Sequence, residues 1–171
     1  KDEKISIKNQ IKVLNVNSVY QLTKDIKIEF INMTHSTPQT VMIALHTKYG
    51  ILVYANDFKL DSSPVLGKKA NIERLKELGD TGKVVALICD SLYAQDSRKT
   101  PSESVAKEML KDVLLGTDSE NRLIIATTFA SHLARLKSIV EFGKKTKRQI
   151  IFMGRSLNKY VEAARKVGEC P

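Results

Sequence analysis

The sequence predicts an α/β protein, because strand signals fill its first third and strand and helix signals alternate after it. Ile26, Ile28 and Phe30 alternate with charged residues, which is the period-two pattern of a half-buried strand. The apolar runs 41–45 and 51–55 flank Lys48-Tyr49-Gly50, an arrangement typical of a β-hairpin. The first third therefore indicates one sheet of a layered α/β sandwich.

A helix and a buried strand are predicted next. Ile72, Leu75 and Leu78 have helical spacing, and Gly79 is placed to end that helix. The continuous apolar run 84–89 predicts a strand that is buried on both faces.

A second helix is predicted to begin at Thr100-Pro101-Ser102-Glu103. Thr100 can cap the helix, Pro101 fits its first position and Glu103 can complete a capping box. Gly116 is expected to end it. The polar, irregular stretch 91–99 before this helix is the predicted domain boundary, which divides the chain into residues 1–95 and 96–171.

Two later units repeat the order of strand and helix. The apolar runs 123–127 and 149–153 predict strands, and the helices that follow are expected to end at Gly143 and Gly168. Such alternation with short connections favours a parallel sheet with right-handed crossovers. Ligands of such sheets bind beyond the carboxyl ends of the strands, which here are at Thr127-Thr128 and Gly154-Arg155-Ser156.

The charge balance favours a polyanionic partner. The chain has 28 Lys and Arg against 19 Asp and Glu, a net charge of +9, which suits RNA, DNA or an anionic membrane surface. A lysine-rich surface that serves solubility is the alternative.

The remaining composition indicates a cytoplasmic location. No apolar run reaches the roughly 20 residues needed to cross a bilayer, and the charged start, residues 1–4, leads into no signal sequence. Cys89 and Cys170 lie far apart without metal-ligand spacing, which indicates reduced thiols. We therefore expect neither membrane insertion nor secretion.

Three polar residues follow predicted strands and are candidates for a metal site. His35 could present its imidazole to a metal or could be an ordinary exposed loop histidine. Asp57 could bridge two divalent ions or form an Asn-Asp turn. Asp90 could join them or cap the loop that follows. Because strand ends converge on one rim of a sheet, we expect these residues to lie together, although two zinc ions need about six to eight ligands.

Two strand-to-helix connections are candidates for phosphate binding. The first contains Thr128, Ser131 and His132, and the second contains Arg155 and Ser156. Helix N-termini offer free amide donors and partial positive charge, and the Arg155 guanidinium can bind a phosphate through two hydrogen bonds. Ser156 could instead be an ordinary N-cap. Neither segment has the glycine pattern of a Walker A or dinucleotide motif.

Five segments, in order and spacing, resemble motifs of the metallo-β-lactamase/β-CASP nucleases, and specifically of archaeal-type ribonucleases J. They are Thr34-His35-Ser36-Thr37-Pro38, Asn56-Asp57-Phe58-Lys59-Leu60-Asp61, Cys89-Asp90-Ser91-Leu92-Tyr93-Ala94 with Thr100-Pro101-Ser102-Glu103, Thr127-Thr128-Phe129-Ala130-Ser131-His132, and Gly154-Arg155-Ser156-Leu157. The implied fold is part of a metallo-β-lactamase αββα sandwich, residues 1–95, followed by the start of a Rossmann-like β-CASP domain, residues 96–171.

The resemblance also implies an activity and roles. The activity is RNA cleavage, as endonuclease and 5′-to-3′ exonuclease, by a hydroxide activated on two zinc ions, in a cytoplasmic homodimer. His35 would ligate one zinc, Asp57 would bridge both, and Asp90 would orient a histidine in the catalytic site. The two β-CASP segments, with Thr128, Ser131, His132, Arg155 and Ser156, would hold the RNA backbone or its 5′ phosphate.

The sequence departs from the family pattern in ways that bear on activity. Asn56 replaces the usual glycine, and Leu92-Tyr93 replace the usual Thr-Asn. The His-x-His-x-Asp-His metal motif is absent, so we expect these 171 residues to be an inactive piece of a longer enzyme. Two alternatives stay open. One is a basic RNA-binding module that grips phosphates through Arg155 without cleaving. The other is a small-ester hydrolase, which the predicted helix start at Thr100 disfavours.

Overall fold

The computed structural model describes residues 11–169. The charged start of the chain and Cys170 lie outside the described residues, so the expectations that rest on them are not addressed by the structure. Cys89 is a free, exposed thiol. Among residues 11–169, no helix has the length and apolar character that a membrane span requires.

A mixed five-stranded sheet forms the first part of the fold, in the order β1-β2-β3-β4-β5. The first four strands are antiparallel neighbours, and β5 pairs parallel with β4. The hairpin closes where Thr47 pairs with Gly50, so the strand and hairpin predictions for the first third of the chain are confirmed. The strands are β1 Val19–Gln21, β2 Lys27–Met33, β3 Thr40–Thr47, β4 Gly50–Tyr54 and β5 Val84–Ile88.

Four helices accompany the sheet: α1 Ile72–Asp80, α2 Glu103–Gly116, α3 Leu133–Lys145 and α4 Arg155–Lys166. All four were predicted, but two boundaries were wrong. Helix α1 runs through Gly79, and the left-handed residue after it is Gly82 (φ 63°). Helix α3 likewise runs past Gly143, since that glycine has helical neighbours on both sides and Thr146 is the C-cap.

The predicted capping box at the start of α2 is also wrong. Ser102, not Thr100, is the N-cap, and its hydroxyl accepts a hydrogen bond from the Ser104 amide at 3.3 Å. Glu103 therefore stands at the first helical position rather than the third. Its carboxylate is buried, with 4% of the residue exposed, and it contacts α3 instead of its own helix end.

Two hydrophobic clusters hold the fold together. In the first, alternate residues of β2, β3 and β4 meet Leu78 of α1, as the period-two pattern requires. In the second, α3 packs on α4. The buried members are Ile31, Met33, Met42, Ala44, Ile51, Val53, Ala55 and Leu78 in the first cluster, and Leu133, Leu136, Val161 and Ala164 in the second.

The two strands predicted at 123–127 and 149–153 are not formed. Within residues 11–169 no backbone hydrogen bond joins these segments to each other, and Ile125 and Met153 are each 82% exposed. They border an apolar cavity of about 510 Å³. Arg122 and Arg148 directly precede the two segments, and the Arg148 guanidinium donates a hydrogen bond to the Arg122 carbonyl at 2.6 Å. A parallel strand pairs with a neighbour across a crossover connection. Helix α3 provides such a connection between the two segments, but they are not hydrogen-bonded to each other within residues 11–169.

The prediction that β5 is buried on both faces is wrong as well. Val85 and Leu87 are each 61% exposed. Among the described residues β5 forms the edge of the sheet and has β4 as its one strand neighbour, so a continuous apolar run did not suffice to indicate burial.

Candidate functional site

The loops that follow β2 and β4 are tied together behind the candidate metal ligands. Thr34, at the end of β2, accepts a hydrogen bond at its carbonyl from the Lys59 amide at 2.7 Å. Its buried hydroxyl donates to the Lys59 carbonyl and accepts from the Asp61 amide at 3.1 Å. His35 follows Thr34 directly and Asp57 precedes Lys59, so the two candidate ligands stand on loops held in one register.

Asn56 explains one departure from the family pattern. Its φ is 53°, a left-handed conformation that glycine adopts freely and that asparagine tolerates better than most other residues. Asn56 therefore occupies a backbone conformation that a glycine would also adopt freely, in the turn that leads to Asp57.

His35, Asp57 and Asp90 are all exposed. The His35 Nδ1 atom lies 3.2 Å from the Ser36 hydroxyl. Asp90 accepts a hydrogen bond from the Leu92 amide at 2.8 Å, so it caps the following loop, as its alternative interpretation held. A catalytic role for Asp90 and ligand roles for His35 and Asp57 remain predictions.

A complete metal site is not formed by the described residues. The imidazole of His35 and the carboxylate of Asp57 are donors that zinc accepts. However, no three His, Cys, Asp or Glu side chains in residues 11–169 are grouped so that they could hold an ion. Because a zinc site needs three or four protein ligands, the residues present do not fit one by themselves.

A buried polar network lies behind these loops and consists of Asp61, Ser102, Glu103, His132 and Arg135. Asp61 is 4% exposed and accepts three hydrogen bonds at its carboxylate. Its Oδ1 takes the Ser63 amide at 2.8 Å and the Ser102 hydroxyl at 2.6 Å, and its Oδ2 takes the Glu103 amide at 2.8 Å. The Lys59 ammonium lies 3.6 Å from Oδ2. This carboxylate therefore caps α2 from a different part of the chain.

Glu103 continues the network into α3. Its carboxylate accepts two hydrogen bonds from the Arg135 guanidinium, at 2.6 and 3.0 Å, and lies 3.5 Å from the His132 Nε2 atom. His132 is the N-cap of α3, and its Nδ1 faces the Arg135 amide at 3.4 Å. Both ring nitrogens of His132 thus face protein groups.

The network shifts the pKa of three of its members. The hydrogen bonds to Glu103 raise the pKa of Arg135. Burial raises the pKa of the Asp61 carboxyl, but hydrogen bonds from Glu103, Ser102 and Ser63 lower it by more, and its pKa lies below the usual value. Burial lowers the pKa of His132. The carboxylate of Glu103 opposes that effect, while the positive charges of Arg135, Lys59 and His35 add to it. His132 is therefore favoured as the neutral imidazole.

The two candidate phosphate segments lead into helix starts. Thr128, Ser131 and His132 are partly buried ahead of α3. Arg155 and Ser156 are exposed in the first turn of α4, whose N-cap is Gly154 (φ 119°) and has no side-chain cap. Ser156 is therefore not the N-cap, contrary to the alternative interpretation. Phosphate binding by these residues remains a prediction.

The network was not predicted as a unit. Asp61, Ser102 and Glu103 belong to the quoted motifs, but no common role was predicted for them. Asp61 and Glu103 are 42 residues apart, and no periodicity links them. The one available signal was that two separate motifs each end in a carboxylate.

Comparisons with known proteins find ribonucleases J among the proteins similar to this chain. Residues 120–170 match the family described as Ribonuclease J, beta-CASP domain. The chain is 42% identical over 167 residues to Ribonuclease J of Pyrococcus abyssi and 39% identical to that of Methanocaldococcus jannaschii. Each alignment covers 98% of this chain and 37% of the relative.

A solved structure supports the fold. A crystal structure of a protein of unknown function from Enterococcus faecalis V583 superposes with a TM-score of 0.58 at 16% identity, covering 91% of this chain and 36% of that one. At this identity the likeness shows the arrangement of elements alone.

Together these findings define the class that the chain resembles: it is an α/β protein whose residues 120–170 match the β-CASP domain of ribonuclease J. More particularly, it is similar to archaeal ribonucleases J along nearly its whole length. It spans about 37% of the length of those two relatives.

Proposed function

We propose that this chain is part of a metal-dependent ribonuclease that hydrolyses RNA phosphodiester bonds. The observation that carries the proposal is the 42% identity to Ribonuclease J of Pyrococcus abyssi across 98% of the chain. The proposal includes a metallo-β-lactamase region in residues 1–95, a β-CASP region in residues 96–171, endonuclease and 5′-to-3′ exonuclease action, and a cytoplasmic homodimer.

Zinc is the proposed metal, and His35 and Asp57 are two proposed ligands. They are exposed on loops that Thr34 holds together, which supports their contribution to one site. Since no three donors are grouped in residues 11–169, the remaining ligands must come from elsewhere in the protein. By itself this part of the chain is proposed to be inactive.

RNA is proposed to bind along the starts of α3 and α4. The net charge of +9 favours a polyanion, and the α4 start offers the Arg155 guanidinium beside amides that have no side-chain cap. Helix starts of this kind favour a phosphate group. Thr128, Ser131 and Ser156 are the proposed additional contacts.

The test is separate substitution of His35→Ala and Asp57→Ala in the full-length protein. Each should reduce metal-dependent cleavage of RNA by about 100-fold, the upper end of the effect of perturbing a metal ligand's surroundings, and leave RNA affinity largely intact. Asp112→Ala, which removes an exposed carboxylate on α2, is the matched control and should cleave normally. Retained cleavage in both ligand variants would contradict the proposal.

A non-catalytic RNA-binding module is the second candidate, which the lack of a grouped metal-ligand set within 11–169 favours. Such a module should be indifferent to His35→Ala and Asp57→Ala. Arg155→Ala should weaken binding and reduce the slope of log affinity against log salt by about 0.7. Arg165→Ala, at the opposite end of α4, should leave that slope unchanged.

A further inference from the structure

The buried polar network connects the loop that carries Asp57 to the start of α3. On one side, Asp61 stands four residues after Asp57 and binds the start of α2 through Ser102 and the Glu103 amide. On the other side, the Glu103 side chain binds Arg135 in the first turn of α3. Glu103 thus contacts the loop through its backbone and α3 through its carboxylate.

Each hydrogen bond that connects Asp61, Glu103 and Arg135 in this network has a defined geometry. The Arg135 guanidinium meets Glu103 through two hydrogen bonds, at 2.6 and 3.0 Å, which restricts rotation as well as distance. The two oxygens of Asp61 take different donors, Ser102 at 2.6 Å and the Glu103 amide at 2.8 Å. Since both carboxylates are 4% exposed, water does not compete freely for these bonds.

Stability alone does not account for such a network. Removing charges from water is costly, and well-packed apolar side chains often stabilise a fold as well as a buried ion pair does. What the paired charges add is a restriction of relative position. The elements whose relative position is restricted here are the Asp57 loop and the segment 127–132, which leads into α3.

We propose that Asp61 and Glu103 are positioning residues that hold segment 127–132 in a fixed register with the loop that carries Asp57. This inference rests on the proposed function, because RNA held near the start of α3 would then be presented to the loop that carries a metal ligand. A displacement of about 1 Å between a bound substrate and the reacting groups can cost about 100-fold in rate.

The experiment compares Glu103→Gln and Asp61→Asn with Glu141→Gln in the full-length protein. Glu141 also joins α2 to α3, through Lys107 at 2.6 Å, but its side chain is 35% exposed and it stands outside the network. The network variants should lower kcat for RNA cleavage by about tenfold to 100-fold, with KM within about threefold of the original. The Glu141→Gln protein should match the original in both parameters.

Amide hydrogen exchange gives a second readout that does not require cleavage. In Glu103→Gln, exchange should accelerate by at least about tenfold in residues 56–63 and in residues 127–133 together. In Glu141→Gln, neither segment should change. If Glu103→Gln fails to fold, Arg135→Lys keeps a positive charge beside Glu103 but removes the paired hydrogen bonds, and it should show the same effects at smaller size.

The outcomes separate this inference from the proposed function. If the original protein cleaves RNA and the network variants keep its kcat, the inference is overturned and the proposed function stands. If the original protein does not cleave RNA, the proposed function fails. Amide hydrogen exchange alone then tests whether Asp61 and Glu103 hold the two segments in register. If hydrogen exchange accelerates in only one of the segments 56–63 and 127–133, or accelerates equally in Glu141→Gln, the positioning role is overturned.

Discussion

Two regions of the molecule differ in whether their apolar segments are paired. One is the sheet of residues 19–88, and the other consists of segments 123–127 and 149–153. In the sheet, β2, β3 and β4 follow one another as antiparallel neighbours. The two later segments have equally apolar sequences, yet they remain unpaired within the described part of the chain. An antiparallel hairpin contains its own partner, whereas a parallel strand requires one that is distant in sequence. Apolar composition therefore indicates strand potential and not strand pairing.

Two isoleucines show the same difference at the level of single side chains. Ile31 in β2 is fully buried and packs in the sheet cluster, whereas Ile125 is 82% exposed. Both directly follow another apolar residue, Phe30 and Ile124, but Ile31 lies in a paired strand and Ile125 does not. Whether an opposing surface exists decides the burial, and with it the contribution of the side chain to stability.

Hydrogen exchange should show the largest contrast between the two regions. Amides of β2 and β3 should exchange at least about 1,000-fold more slowly than those of residues 123–127, because paired strands open only through large unfolding events. Mass spectrometry of peptides after deuterium labelling measures both regions in one experiment. Equal protection would mean that 123–127 is paired in solution and would remove the contrast.

Truncation of the two isoleucines should differ by several kcal/mol. Ile31→Ala leaves a cavity in the sheet cluster and should lower the free energy of unfolding by about 2–5 kcal/mol. Ile125→Ala removes an exposed side chain and should change it by less than about 0.5 kcal/mol. Urea unfolding of both variants checks the pair. A large loss in Ile125→Ala would show that this segment is packed.

Glu29 in β2 is buried and accepts hydrogen bonds from the Arg74 guanidinium at 2.5 and 3.2 Å. This ion pair should make the stability of the protein depend on pH. Burial raises the pKa of Glu29, but hydrogen bonds from Arg74 and His46 lower it by more, so its pKa lies below the ordinary 4.5. The ionised carboxylate therefore contributes stability that is fully present above pH 4.5 and is lost as the pH falls through the lower folded-state pKa. Glu29→Gln should cost about 2 kcal/mol at pH 7.

Unfolding titrations between pH 7 and pH 3 would test this sign. The difference between Glu29→Gln and the original protein should shrink as the pH falls below 4.5. Glu77→Gln is the control, since Glu77 also binds Arg74 but is 63% exposed, and it should cost less than about 1 kcal/mol. A difference that grows on acidification would contradict the assignment.

The smallest expected effect concerns the two glycines at the end of α1, where backbone conformation decides the outcome and no distant partner is involved. Gly79 lies inside the helix with open space around the position of a Cβ atom, so Gly79→Ala should stabilise the protein by about 0.5–1 kcal/mol. Gly82 has a φ of 63°, so Gly82→Ala should destabilise it by about 1 kcal/mol. Thermal unfolding of the two variants measures both signs, and equal effects would show that the helix ends at Gly79.

The candidate site was predictable in its motifs and not in its contacts. The positions of His35 and Asp57 after strands follow from local patterns, and Asn56 at a left-handed turn fits a known preference of asparagine. The pairing of Glu103 with Arg135 could not be predicted, because a capping-box pattern and a buried ion pair both place a carboxylate near a helix start. The two differ only in which helix the carboxylate meets.

The sequence by itself determined the antiparallel strands β2, β3 and β4, the existence of all four helices and the likeness to ribonuclease J, whereas β1 was not predicted. These features depend on periodicity and on short motifs, which act between residues that are near one another in the chain. The tertiary structure alone decided the exposure of β5, the unpaired state of segments 123–127 and 149–153, and the network from Asp61 to Arg135. Each of these depends on which distant surface is present, and the free energy of burying or pairing a group is set by that surface.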